Sequence, residues 1–237
     1  PHIRRCGYRR ICEIGAQRGA NTDLLLRLPD VEITLIDPCR DADLLLQYAD
    51  EPRVSVAVGR SLDVLPVIEA EFDCILIDGD HNWYTVSNEL HWIERRHLLT
   101  NPGTVFLHDV GWPYGRRDLY YAPSDIPPNA RQPWARGGVV RGSDALHPSG
   151  LNADLAHATH EGGPRNGVLT AVEDFLEESA SRYTFSVDPR EFGLGVLLNG
   201  RSADHRWITC SVRLRSLWER TRARTGFGRN SGSHPER

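Results

Sequence analysis

The feature that most constrains the fold is an alternation of strand and helix patterns over the first half of the chain. Short runs rich in β-branched residues alternate with stretches whose apolar residues recur at helical spacing. The predicted strands are 10–14, 32–36, 54–58, 72–77 and 104–107. The predicted helices are 22–28, 41–48, 62–70 and 83–99. This alternation predicts an α/β fold with a doubly wound, mostly parallel sheet, because near-continuous apolar strands are typical of sheets covered on both faces.

The second half of the chain changes character at residue 111. Residues 111–167 are rich in Pro, Gly, Arg and aromatic residues and show no clear period, which is typical of a lid or binding loop. Regular patterns return with a predicted helix at 168–180 and strands at 183–187 and 194–198. We therefore predict, for a chain of 237 residues, a single domain over 1–225 with a lid or substrate insertion at 110–167. A disordered tail is predicted at 226–237.

Charge and hydropathy argue against several classes of partner. The net charge is −4, so the chain has no global basic field of the kind that attracts nucleic acid or anionic membranes. No apolar run reaches the roughly 18 residues that a membrane span needs, and no signal-peptide core follows the basic start. The five cysteines show no C-x-x-C spacing. We expect a cytoplasmic protein with reduced thiols and with no nucleic-acid or membrane partner, and a homo-oligomer is left open.

A glycine turn follows the first predicted strand. Glu13, Gly15 and Gly19 form an E-x-G-x-x-x-G pattern just before a helix. Glycines at such a turn let a ligand lie against the backbone beside the helix start. The spacing differs from the G-x-G-x-x-G of dinucleotide-binding proteins, and the acid would repel a diphosphate but suits a cationic or hydroxyl-bearing ligand.

Two further features belong with this turn. Asp37 ends the second strand about twenty residues later, at the position where an acid of a doubly wound fold binds the hydroxyl groups of a ribose. A second glycine turn, residues 59–62, follows the third strand. An ordinary strand-to-helix connection explains the first turn alone, but not the three features together.

With these motifs the sequence resembles the class I S-adenosylmethionine-dependent methyltransferases. The resemblance covers residues 1–109 and 168–200 and implies a Rossmann-like, seven-stranded sheet that ends in a C-terminal antiparallel hairpin. It implies that S-adenosylmethionine is the cofactor, with its amino-acid part at the first turn, its ribose at the strand-two acid and its adenine beside the second turn. The implied cofactor-binding residues are Glu13, Gly15, Ala16, Gly19, Asp37, Gly59, Ser61, Leu62 and Asp78.

A second polar cluster follows strands four and five. Asp78, Asp80 and His81 come after one strand, and His108 and Asp109 after the next, so their side chains should meet at one crevice. Carboxylates with imidazoles can hold a divalent ion.

The cluster resembles that of small-molecule O-methyltransferases in which acids after these two strands bind Mg²⁺. Asp78 and Asp109 occupy the matching positions, although Val110 stands where that group often has a second acid or amide. The competing interpretation gives the two acids hydrogen bonds to cofactor or acceptor.

The resemblance implies methyl transfer to a hydroxyl group of a small molecule, a secondary metabolite or its sugar. His108 and His81 are the candidate bases, with Asp78 beside them, because a hydroxyl acceptor must lose its proton. Alternatively, a residue of 80–82 caps the next helix without taking part in the chemistry. Two other functions stay open: an NAD(P)-dependent oxidoreductase, which the glycine spacing disfavours, and an inactive methyltransferase-like partner subunit, which the retained acids and histidines disfavour.

The insertion begins directly after this cluster. Its aromatic residues, among them Tyr120 and Tyr121, could stack on an acceptor or pack within the loop. The arginines at 116, 117 and 165 could bind an anionic acceptor or form salt bridges that order the loop. Asn166 is a predicted cap for the helix at 168–180.

Overall fold

The computed structural model describes residues 2–40, 43–181 and 183–200. The strands in this part are β1 (Arg10–Ile14), β2 (Glu32–Asp37), β3 (Val54–Val58), β4 (Phe72–Ile77), β5 (Leu99–Leu107), β6 (Leu119–Tyr120), β7 (Trp134–Arg136), β8 (Ala156–Ala158), β9 (Tyr183–Asp188) and β10 (Leu194–Asn199). The α-helices are α1 (His2–Cys6), α2 (Ala20–Leu25), α3 (Leu44–Gln47), α4 (Ser61–Val64), α5 (Trp83–Arg95) and α6 (Val168–Glu178). The predicted tail at 226–237 lies outside the described residues.

Seven strands form the main sheet, in the order β3-β2-β1-β4-β5-β10-β9. Strands β1 to β5 pair in parallel, and β10 runs antiparallel to both β5 and β9. The predicted mostly parallel, seven-stranded sheet with its C-terminal hairpin is therefore confirmed. The winding reverses between β1 and β4, so a crevice opens beyond the carboxyl ends of these two neighbours.

Helices cover both faces of this sheet. On one face α5 and α6 bury Val86, Leu90 and Phe175 against the strands. On the other, α2 and α3 bury Leu25 and Leu44. In the described part of the chain, no helix has the length and apolar character needed to cross a membrane.

Two helices are shorter than predicted by about a turn or more. The helix predicted at 83–99 ends at Arg95, because His97 takes a left-handed backbone conformation, with φ of 53°, and β5 already begins at Leu99. The helix predicted at 62–70 is a single turn at 61–64. The short helix α1 was not predicted.

The insertion is more ordered than its composition indicates. It contains a second, three-stranded sheet in the order β6-β8-β7, although no regular structure was predicted there. Asp118 is one of its attachments to the main domain, because its carboxylate accepts hydrogen bonds from the backbone N–H groups of Trp83 and Gly167, each at 2.7 Å. One buried acid thus joins the insertion to the starts of α5 and α6.

The predicted capping role of Asn166 is wrong. Gly167 precedes α6 and no side chain caps that helix. The Asn166 side chain instead accepts a hydrogen bond from the Asp118 N–H at 2.8 Å and donates to the carbonyl groups of His160 and Gly162. Asn166 therefore fixes the end of the insertion.

Candidate active site

The first glycine turn lies against the loop that follows β4. Gly15 has φ of +85°, and a Cβ atom there would lie 2.4 Å from the Asp78 carbonyl oxygen and 2.4 Å from the Gly79 Cα. Gly19, at the start of α2, has φ of +77° and is similarly crowded by the Tyr48 hydroxyl. Both predicted glycines therefore occupy positions that other residues fit poorly.

Glu13 is almost completely buried at the end of β1. Its two carboxylate oxygens accept hydrogen bonds from the Thr22 hydroxyl at 2.6 Å and from the Asn21 amide at 3.0 Å. Burial raises the pKa of Glu13, and these two hydrogen bonds oppose the rise. Glu13 thus fixes the first turn of α2, a role that the sequence did not reveal, and its contact with the cofactor stays a prediction.

Asp37 connects the other predicted cofactor loops. Its carboxylate accepts hydrogen bonds from the backbone N–H groups of Gln17 at 2.9 Å and Cys39 at 2.6 Å. Its carbonyl oxygen accepts one from the Gly59 N–H at 3.0 Å. The structure therefore gathers the turns after β1, β2 and β3 around one acid. The predicted cofactor-binding residues lie at the carboxyl ends of β1 to β4: Glu13, Gly15, Ala16, Gly19, Asp37, Gly59, Ser61, Leu62 and Asp78.

The predicted polar cluster also comes together. The His81 Nδ1 lies 3.1 Å from the Asp109 carboxylate, and both residues are buried. The His108 Nδ1 lies 3.2 Å from Asp78 and 3.4 Å from Asp109. The angles at His108 do not make a regular hydrogen bond with either acid. His108 therefore forms a close ion pair with both acids.

The charge state of His108 follows from these contacts. The Asp109 and Asp78 carboxylates raise the pKa of His108 to about 10, against an opposing effect of burial. At neutral pH His108 is therefore an imidazolium that neutralises two neighbouring carboxylates.

These residues do not fit a divalent metal ion. Among residues 2–40, 43–181 and 183–200, no group of three or more His, Cys, Asp or Glu side chains has the arrangement of a metal site. The predicted ligands Asp78 and Asp109 instead share the cation of His108. Mg²⁺ stays a prediction that this geometry does not support.

The helix-cap alternative applies to Asn82. Its side chain accepts a hydrogen bond from the Thr85 N–H at 2.9 Å at the start of α5. Asp80 instead accepts a hydrogen bond from the Thr85 hydroxyl at 3.1 Å, and burial raises the pKa of Asp80. His81 is thus not needed as a cap.

Four rings form a row across the cluster. Tyr121 contacts His81 at a centroid distance of 6.1 Å, His81 contacts His108 at 6.4 Å, and His108 contacts Phe192 at 6.1 Å. Tyr114 stacks on His81 at 5.8 Å. Tyr121 and Phe192 are 48% and 39% exposed, so large apolar side chains flank the histidines at the surface. Phe192, in the loop between β9 and β10, carries no sequence signal that marks it as a site residue.

The insertion's arginines order the loop. Arg116 forms two hydrogen bonds with Glu173, at 2.6 and 2.7 Å. Arg117 is buried and donates to the Ala158 carbonyl group at 2.7 Å. Arg165 lies over the Trp83 ring at 5.1 Å. The loop-ordering alternative accounts for all three.

The fold and the strand-end loops define the class of this protein. A doubly wound sheet with an antiparallel last strand, a glycine turn after β1 and acids after β1, β2 and β4 is the arrangement of the class I S-adenosylmethionine-dependent methyltransferases. Residues 12–110 match a family model described as a methyltransferase domain. Residues 12–110 therefore resemble a methyltransferase domain, and the sheet has the strand order of this class. The sequence matches no curated protein at a significant level.

Solved structures show the same fold. A methyltransferase of Podospora anserina, solved with S-adenosylhomocysteine, has 17% sequence identity and a TM-score of 0.53, over 84% of this chain and 75% of that one. A candidate O-methyltransferase of Nostoc punctiforme has 14% identity and a TM-score of 0.50, over 84% of this chain and 53% of that one. At such low identity the likeness concerns the fold alone.

Proposed function

We propose that the chain transfers a methyl group from S-adenosylmethionine to a hydroxyl group of a small molecule, a secondary metabolite or its sugar. One observation carries this proposal: Gly15 packs directly on the backbone of Asp78 and Gly79. The predicted cofactor turn therefore lies against the loop after β4, which bears His81, and His81 in turn contacts Asp109 after β5 at 3.1 Å. A base and the methyl donor would then share one crevice.

Two strand-end loops support the cofactor side of this proposal. The Gly15–Gly19 turn would offer backbone groups to the amino-acid part of the cofactor, next to Glu13, and Asp37 would bind the ribose hydroxyls. When bound there, S-adenosylmethionine supplies an electrophilic methyl group on a sulfonium.

His81 is the better placed of the two predicted bases. Because its Nδ1 faces the Asp109 carboxylate, we assign the Nδ1 proton to that contact, which leaves Nε2 free to accept a proton. His81 Nε2 would accept the proton of the acceptor hydroxyl group, and a cofactor held by the strand-end loops would supply the methyl group to the acceptor oxygen. His108, already an imidazolium at neutral pH, instead holds the Asp78 and Asp109 carboxylates in place.

The surroundings favour an uncharged acceptor with a flat or apolar face. Tyr121 and Phe192 offer exposed rings on either side of the histidines. Asp78 is half-exposed in the same cluster and would repel an anion. The guanidinium groups of Arg116 and Arg117, which could have attracted one, already bind Glu173 on α6 and the Ala158 carbonyl group.

The test is methyl transfer from S-adenosylmethionine to a panel of neutral hydroxyl and amine acceptors, with Mg²⁺ and with EDTA. We expect hydroxyl methylation that EDTA leaves unchanged. His81→Gln should lower kcat by about 100-fold or more, the usual contribution of a general base, and should leave S-adenosylhomocysteine affinity within about 3-fold. His91→Gln, on the outer part of α5, is the matched control and should retain full activity. Methylation of amines alone, or a fully active His81→Gln, would refute the proposal.

A further inference from the structure

Glu89 is a completely buried acid that the mechanism does not use. It lies on α5 and has 0% of its surface exposed. Neither carboxylate oxygen has a hydrogen-bond partner among the described residues. Because a buried polar group without a partner costs folding free energy, a residue of this kind needs a reason beyond packing.

Glu89 is an acid on an otherwise apolar face of its helix. Val86, Leu90 and Ile93 form the buried apolar face of α5, and Glu89 lies on that face. An apolar residue would suit the position better on packing grounds alone.

The surroundings of Glu89 link it to both predicted cofactor loops. Helix α4 packs on α5, and Ser61, the first residue of α4 and part of the turn after β3, lies near enough to the Glu89 carboxyl group to lower its pKa. Asp80, in the loop after β4, acts on it through its charge. Glu89 therefore lies under two loops that are remote in sequence and meet at the predicted adenine side of the cofactor.

The protonation state suits a hydrogen bond with a hydroxyl group. Burial raises the pKa of Glu89 to about 8, and the Asp80 charge adds to the rise. A carboxyl group that keeps its proton at neutral pH has one O–H donor and one carbonyl acceptor. Either can pair with the Ser61 hydroxyl, which both donates and accepts.

We propose that Glu89 is a positioning residue of the cofactor site, whose carboxyl group engages the Ser61 hydroxyl when cofactor occupies the turn after β3 and so holds that turn in its binding geometry. The inference rests on the cofactor site described above. Glu89 itself touches neither cofactor nor acceptor. The unpartnered carboxyl group lowers the stability of the fold, and on this proposal Glu89 is kept because its carboxyl group improves cofactor binding.

The experiment separates stability from affinity. Glu89→Leu removes the unpartnered carboxyl group and keeps a similar volume, so we expect Tm to rise by about 2–4 °C. The same variant should weaken S-adenosylhomocysteine binding about 10-fold in isothermal titration and should raise the KM for S-adenosylmethionine more than it lowers kcat. Glu89→Gln keeps a donor and an acceptor and should bind within about 2-fold of the unaltered protein.

Two further variants test the specificity of the effect. Glu94→Leu, on the same helix, removes a carboxylate that accepts a hydrogen bond from the Ser179 hydroxyl at 2.5 Å. This control should lower Tm and leave affinity unchanged. Ser61→Ala should weaken binding, and combining it with Glu89→Leu should weaken binding no further, because the two residues act as a pair.

Each other outcome contradicts the proposal. A Glu89→Leu variant that loses stability and affinity together indicates a merely structural acid. One that gains stability and binds normally shows that the acid does nothing for the cofactor. If the unaltered protein binds no S-adenosylhomocysteine, the methyltransferase proposal fails first, and the Glu89 inference falls with it.

Discussion

Removing the Asp118 carboxylate should loosen the insertion from the main sheet. This carboxylate accepts three hydrogen bonds, each 2.7 Å long, from the N–H groups of Trp83 and Gly167 and from the Tyr120 hydroxyl. Burial raises the pKa of Asp118, whereas these hydrogen bonds oppose the rise, so the desolvation cost offsets part of their benefit.

The size of the effect follows from what the Asp118→Ala variant leaves behind. The Gly167 N–H and the Tyr120 hydroxyl are buried, and each would lose its acceptor at a cost of about 1–3 kcal/mol. The Trp83 N–H is only partly buried and can form a hydrogen bond with water instead, so it adds less to the loss of stability. We therefore expect a loss of about 3–5 kcal/mol in the free energy of unfolding, and a drop in Tm of about 6–20 °C.

Thermal and urea unfolding of the variants measure this loss. Asp118→Asn keeps one acceptor oxygen and should lose about half as much. Asp125→Ala is the control, since its contacts with Arg40 at 3.4 Å and Arg60 at 3.7 Å are exposed and should change stability by less than about 0.5 kcal/mol. If Asp118→Ala unfolds within about 1 kcal/mol of the unaltered protein, the insertion is held by its own sheet and the reasoning is refuted.

Three further outcomes follow from the site. Gly15→Ala should weaken S-adenosylhomocysteine binding at least about 10-fold in isothermal titration, because the new Cβ atom would lie 2.4 Å from backbone atoms. Gly7→Ala is the control: Gly7 has φ of +68° and no atom within 4 Å of the added Cβ, so this variant should lose only about 1 kcal/mol of stability. Because the folded-state pKa of His108 is raised to about 10 from an ordinary value of about 6.5, its stabilising effect is complete below about pH 6.5 and is lost as pH rises through about 10. Tm measured from pH 6 to 10 should therefore fall less steeply in His108→Gln, and parallel curves would contradict the assignment. Phe192→Ala should raise the KM of a methylated acceptor about 10-fold with cofactor affinity unchanged, and an unchanged KM would remove Phe192 from the acceptor site.

The site residues that the sequence predicted share one property: they stand at the ends of strongly patterned strands. Asp37 ends β2 and Asp78 follows β4, and the parallel order of the sheet alone brings such positions together. The two glycines of the first turn were also predictable, since a backbone with φ of +85° and +77° needs glycine. The predictable site residues are therefore those that the strand order of the sheet brings together.

What the sequence did not show depends on contacts between distant segments. Asp118 lies in a stretch without periodicity, and its three donors come from residues 83, 120 and 167, so no local pattern marks it. Glu89 was detectable in principle, because an acid between Val86 and Leu90 interrupts the apolar face of a predicted helix. Its proximity to Ser61 is visible only in the packing of α4 on α5.

Helix α5 connects these two unpredicted acids. Asp118 holds the N–H group at its first residue, and Glu89 lies six residues further on, about 9 Å along the axis, where it faces α4. The proposed acceptor side of the crevice would then depend on the start of the helix, and the proposed adenine side on its middle. Loss of the Asp118 contact frees the insertion that carries Tyr114 and Tyr121 against His81, but leaves Ser61 and its turn in place. Asp118→Asn should therefore lower kcat before it weakens cofactor binding, the reverse of the pattern expected for Glu89→Leu.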